Sequence, residues 1–229
     1  MASYFLYNSS FMIMIPFMIL AMVAQSKVKS TYQRYLKIQS YRGQTGEQVA
    51  RMILARNGIS DVAVEMVGGV MSDHYDPRSK KVRLSKAVFS GTSIAALSIA
   101  AHEVGHAMQH ANGYVPLSLR TAILPVASFG SSSAFFFVFI GFFFNSTMVM
   151  DVGIWFFIAA VAFQFLTLPV EFNASSRAIA QLSENNFLYE DEVVGAKKML
   201  NAAAMTYVAA TAVAIGQLLR LIILRNSRD

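Results

Sequence analysis

Residues 121–170 carry a single charged side chain, Asp151. So long an uncharged run cannot cover a soluble domain, whose surface needs charged residues throughout. It is long enough to cross a bilayer twice, at about 20 residues per helical pass. Asn145-Ser146-Thr147 divides it into two spans, about 121–144 and about 149–170. Two further apolar stretches flank this pair. One runs from about Tyr4 to Ala24 with Pro16 inside it, and one follows Lys197-Lys198 through 202–219 until Arg220 interrupts it. The first lacks the basic start and the small-residue cleavage site of a signal peptide, so it reads as a retained membrane helix. Composition agrees: 55 % of residues are hydrophobic, 14 % are charged, and mean hydropathy is +0.46. Soluble domains are about one-quarter charged and disordered chains more polar still, so both classes are excluded.

The net charge of +6 invites a nucleic-acid reading, but the basic residues lie where they would orient membrane helices. None precedes the first apolar stretch, whereas Lys27, Lys29, Arg34, Lys37 and Arg42 follow it. The loop at 145–151 has no Lys or Arg. These positions predict residues 27–120 and 171–198 inside and the loop outside, in a multi-pass protein of the cell membrane. The last apolar stretch stays open. Lys197-Lys198 favour an inside start, yet Arg220, Arg225 and Arg228 also favour the inside, so it either crosses or lies in the interface. The expected parse is a first membrane helix within 1–26, a polar domain at 27–120, a membrane hairpin at 121–170, a helix and loop at 171–200, and a last helix at 201–229.

The polar domain reads as a small α+β unit. Thr45 with Gln48 makes a capping box, the helix carries Val49, Met52, Ile53 and Leu54, and Asn57-Gly58 closes it. Val62, Val64 and Met66 alternate as a strand, Met71–Tyr75 is a second, Asp76–Ser79 a turn and Lys81–Leu84 a third.

The chemistry lies in Ala101-His102-Glu103-Val104-Gly105-His106. Histidines four apart on a helix project from one face and can grip one Zn²⁺, and the intervening glutamate can act on a metal-activated water. Ile94 to Ala100 and Ala107 to Gln109 supply the helical setting. The bland alternative is two histidines satisfied at a helix surface. The chain has no cysteine, which excludes a thiolate site, a Cys nucleophile and disulfides. Catalytic zinc takes three protein ligands. His110 lies about 12 Å from His102 along a straight helix, too far to share a metal. Glu171, at the end of the third apolar stretch, is the better third ligand, unless it is a simple boundary charge.

Three segments together resemble the YugP-like membrane zinc metallopeptidases, related in architecture to the larger HtpX-type membrane gluzincins. They are Ser72-Asp73-His74-Tyr75-Asp76-Pro77-Arg78, Ala100–Ala107 and Glu171-Phe172-Asn173-Ala174-Ser175. The resemblance implies zinc on His102, His106 and Glu171, with Glu103 as general base. It implies an integral membrane protein of three to four transmembrane helices with a small α+β zincin-like catalytic domain in the cytoplasm. The implied substrates are peptides or misfolded proteins at the bilayer. In such enzymes a strand near the zinc pairs with extended substrate, a role here for Ser72, Asp73, His74 and Tyr75, although Asp-Pro-Arg-Ser is also good turn chemistry by itself. Arg177 either stabilises the oxyanion or serves only the charge topology. In the larger group an Asp lies four residues after the ligand Glu. Here that position is Ser175, so the carboxylate that orients a histidine is missing or supplied elsewhere. Two other readings stand beside the endopeptidase: a non-catalytic membrane scaffold with a structural metal, and an intramembrane site-2-type protease using Asp151.

Overall fold

A computed structural model describes residues 11–227. Residues 4–10 of the first apolar stretch, and Arg228, lie outside the described residues. The protein is mostly helical, with one small sheet. Its elements run α1 Met14–Leu36, α2 Gly46–Arg56, β1 Ala63–Val67, β2 His74–Asp76, β3 Lys81–Ser85, α3 Lys86–Phe89, α4 Ile94–Ala111, α5 Val115–Phe143, α6 Thr147–Glu184 and α7 Glu190–Asn226. Among the described residues, α5, α6 and α7 are long and apolar enough to cross a membrane. The chain is thus a multi-pass membrane protein.

It divides into two compact units. One comprises Met1–Gln25, Ser118–Leu168 and Thr206–Asp229. Its core is small, formed by Ala134 and Val138 of α5, Met150, Ile154 and Phe157 of α6, and Leu221 and Leu224 of α7. Phe136, Phe139, Phe143, Trp155 and Phe165 point outward and exposed, as lipid-facing side chains do. The helices of the hairpin come close because glycine lines the contact: a Cβ on Gly153 would lie 2.7 Å from the Ala134 carbonyl oxygen. The last apolar stretch lies on α7, one of these candidate spans. Arg225 near the end of α7 pairs with Asp151 at the start of α6, Nε to Oδ1 at 2.9 Å and Nη2 to Oδ2 at 3.1 Å. A bidentate pair neutralises both charges at that end of the two helices.

The other unit comprises Ser26–Leu117 and Pro169–Met205. Its core gathers Val28, Tyr32 and Tyr35 of α1, Val49 and Ile53 of α2, Val82 and Leu84 of β3, Leu97 and Val104 of α4, Leu182 of α6 and Met199 of α7. In α2, Thr45 accepts from the Gln48 N–H while the Gln48 side chain accepts from the Thr45 N–H, the reciprocal cap expected. The sheet order is β1-β3-β2, with β1 parallel and β2 antiparallel to the central β3. β2 starts at His74, later than the expected Met71, because Met71 has φ 54°, a left-handed conformation that no strand continues through. Likewise α7 starts at Glu190, ahead of Lys197. The buried Glu192 carboxylate accepts from the Tyr189 N–H and from the Tyr41 N–H, both at 2.8 Å, and so holds that first turn in place.

Candidate metal centre

Helix α4 is started by Ser93, whose hydroxyl accepts from the Ala96 N–H at 3.2 Å. Its apolar positions, Leu97, Ala100, Ala101 and Val104, lie wholly inside the core, which fixes the rotation of the helix. His102 and His106 then share one face. Their rings lie 4.8 Å apart at 85°, edge to face. Glu171 comes from α6, whose approach is set by Gly105: a Cβ there would lie 2.6 Å from the Ala174 carbonyl oxygen. The buried Glu171 carboxylate meets both imidazoles, Oε2 lying 3.3 Å from His102 Nε2 and 3.6 Å from His106 Nε2.

Ligand-capable atoms of His102, His106 and Glu171 all fall within 4.8 Å of one another. Two imidazoles and one carboxylate are a donor set that zinc takes while keeping a fourth position for water. Zinc–ligand bonds of about 2.0–2.1 Å in a tetrahedron put neighbouring donor atoms about 3.3–3.4 Å apart. The observed nitrogen-to-oxygen separations, 3.3 and 3.6 Å, lie at that edge and about 0.2 Å beyond it, so the residues fit the ion.

Glu103 is buried beside this cluster. Burial alone would push the His106 pKa down, but the facing Glu171 carboxylate and the nearby Glu103 charge leave it raised above the ordinary histidine value. His110 faces elsewhere, its Nδ1 2.8 Å from the Tyr75 hydroxyl. Desolvation, followed by the charges of Asp61 and Asp76, pushes that phenol up to about 12, so it stays protonated.

The side chains of 72–75 engage the sheet and its loops. Ser72 donates to the Gly68 carbonyl (2.9 Å), and the His74 ring meets the Ser72 carbonyl (2.8 Å). Asp73 accepts from the Ser85 N–H (2.7 Å) and hydroxyl (3.2 Å), which secures the β3–α3 junction. Arg177 gives its Nε–H to Asn173 Oδ1 at 2.8 Å, a contact that uses one edge of the guanidinium.

Each histidine has a second partner. Ser175 lies 3.2 Å from His102 Nδ1, so a hydroxyl stands beside this ligand where the larger group has an Asp. Gln109, fully buried, lies 3.0 Å from His106 Nδ1. Ser175 could be suspected from its spacing after Glu171. Gln109 could not, since nothing in a helix sequence tells an orienting amide from a surface one.

The comparisons with known proteins agree with this geometry. Residues 10–226 match a family model described as "Putative neutral zinc metallopeptidase". The chain is 48 % identical over 207 residues to "Putative membrane protease YugP" of Bacillus subtilis (strain 168), a match covering 90 % of this chain and 92 % of that protein. No solved structure matches. A family match over nearly the whole chain, together with identity at this level, means that the chain belongs to the family so described.

Proposed function

We propose that the protein is an integral membrane endopeptidase that uses zinc to hydrolyse peptide bonds in membrane-associated or misfolded proteins. The observation that carries this reading is the convergence of His102, His106 and Glu171 from two helices onto one point. His102 and His106 would hold the ion through Nε2, and Glu171 through a carboxylate oxygen. Zinc bound there supplies a lowered water pKa and a Lewis acid for the scissile carbonyl. Glu103 takes the proton of the attacking water on its carboxylate and passes it to the leaving amine nitrogen. No acyl-enzyme forms, since the attack is by water. Arg177, two turns beyond Glu171 on α6, is the candidate cation for the oxyanion that develops on the substrate.

The substrate reading rests on β2. It pairs with β3 on one side only, as the last strand in the order β1-β3-β2. Among the described residues no strand pairs with its outer edge, which can take an extended peptide, with Ser72, Asp73, His74 and Tyr75 along the segment. The orientation rests on charge. Five basic residues between Lys27 and Arg42 support a cytoplasmic catalytic domain.

The test is metal content and hydrolysis together. The detergent-purified full chain should carry about one zinc per molecule and cleave unfolded casein. A chelator should abolish cleavage, and added zinc should restore it. Zinc-loaded protein that cleaves neither casein nor apolar peptides would refute the reading.

A further inference from the structure

Gln109 makes three contacts in a fully buried position. Its Nε2 lies 2.8 Å from the Val170 carbonyl oxygen and 3.0 Å from Asn173 Oδ1, and its Oε1 lies 3.0 Å from His106 Nδ1. Amide oxygen and nitrogen are not told apart by shape, so the hydrogen-bond network must assign them. Here it does. A backbone carbonyl can only accept, so the group facing Val170 must be the NH₂. Asn173 agrees: its Oδ1 also receives the Nε–H of Arg177, which can only donate. With the NH₂ spent on Val170 and Asn173, the atom facing His106 is the amide oxygen. An amide oxygen only accepts, so His106 Nδ1 must carry the hydrogen. The lone pair is then left on Nε2, the atom that faces Glu171.

We infer that Gln109 is a positioning residue that locks His106 in the Nδ1–H tautomer and fastens the motif helix to the chain immediately before Glu171. The inference rests on the zinc reading of the site and deepens it. A histidine ligand usually gives its second nitrogen's hydrogen to a carboxylate, a carbonyl or water. Gln109 does this with an amide, which has donors as well as an acceptor. It can therefore orient a ligand on α4 and hold the Val170 carbonyl on α6 at the same time, as a lone carboxylate could not. His102 lacks such a lock, since the Ser175 hydroxyl can accept or donate. The arrangement at His106 runs on through Asn173 to Arg177, so the candidate oxyanion cation shares the frame that sets the ligand.

The test uses the full chain in detergent, with zinc and its chelator-stripped form. Gln109→Met keeps the side chain's length and removes all three contacts. It should weaken zinc binding about 10–100-fold in chelator competition, as loss of a ligand's outer partner does. Ring-¹⁵N NMR of the four histidines reads the second consequence. In zinc-free wild type, with the imidazoles neutral, His106 should carry its hydrogen on Nδ1, and Gln109→Met should shift it toward Nε2. A purely structural glutamine would leave the tautomer unmoved. Wild-type protein with the hydrogen on Nε2 overturns the inference even if the variant does not fold. So does a Gln109→Met protein that binds zinc as tightly as wild type while Glu171→Ala does not. If Glu171→Ala also leaves zinc binding unchanged, the metal reading falls instead, and the tautomer alone decides the inference.

Discussion

Gly105 makes the position of Glu171 sensitive to one methyl group. Substituting Gly105→Ala puts a Cβ 2.6 Å from the Ala174 carbonyl oxygen and 3.2 Å from its carbonyl carbon and Cα. Ordinary contact begins at 3.4 Å, and all three neighbours are backbone, so relief takes a shift of about 0.8 Å between close-packed helices. Ala174 lies three residues after Glu171 on α6, so the carboxylate moves with it. Metal–ligand distances tolerate only about ±0.2 Å. Overpacking costs about 1–3 kcal/mol, and alanine's better helix propensity offsets about 1 kcal/mol of that, so the variant should still fold. Its zinc affinity should fall about 10-fold or more, and its hydrolysis about 10²-fold, the cost of an ångström of misplacement at a reacting centre. Chelator competition and casein cleavage read these two losses, and thermal unfolding reports the fold. Gly68→Ala is the control, since a Cβ there meets nothing within 4 Å. A Gly105→Ala protein that binds zinc and cleaves like wild type would refute the claim that this close approach sets the site.

Three other outcomes are expected. Glu171→Ala should lower zinc occupancy sharply while His110→Ala leaves it near wild type, because His110 faces Tyr75; the reverse pattern in metal analysis would contradict the ligand set. A cysteine at Ser79 should resist an impermeant thiol reagent in intact cells, and ready labelling there would overturn the proposed orientation. Asp76 should give an acid-sensitive turn. The Ser79 hydroxyl, then the Arg78 N–H and the Arg83 guanidinium, hold its carboxyl below the usual carboxylate range. A depressed folded pKa contributes stability that is present above the unfolded value of about 4 and is lost as pH falls toward the folded value. Asp76→Asn should therefore lower the melting temperature at pH 7, and the gap should shrink below about pH 4. A gap that is constant with pH would contradict it.

What could be read in the sequence was local. Thr45 and Gln48 are three residues apart, and their reciprocal cap follows from that spacing. His102 and His106 share a face because four residues make about one helical turn. Glu171 was within reach because an acid at the end of an apolar span is conspicuous. What could not be read depends on contacts distant in sequence. Gln109 finds Val170 across 61 positions, and Ser175 finds His102 across 73. The early start of α7 depends on Glu192 meeting Tyr41 across 151 positions. Likewise, Arg225 finds Asp151 across 74 positions, a pairing that counting basic residues does not reveal. The strand boundary at His74 was lost to one left-handed residue, Met71, whose side chain gives no warning of it.

The claim that Glu103 is the general base is tested most directly by Glu103→Gln. Glutamine keeps the size and the hydrogen bonding of the side chain but cannot take up the water's proton. General-base loss costs about 10²–10⁴-fold in rate, and here the same carboxylate also serves the leaving amine. Glu103 lies outside the three-residue ligand cluster, so zinc content should be unchanged. Hydrolysis of casein by wild type and variant, each with its zinc measured in the same sample, should show full metal occupancy in both and cleavage in wild type alone. Cleavage by the variant at the wild-type rate would contradict the account.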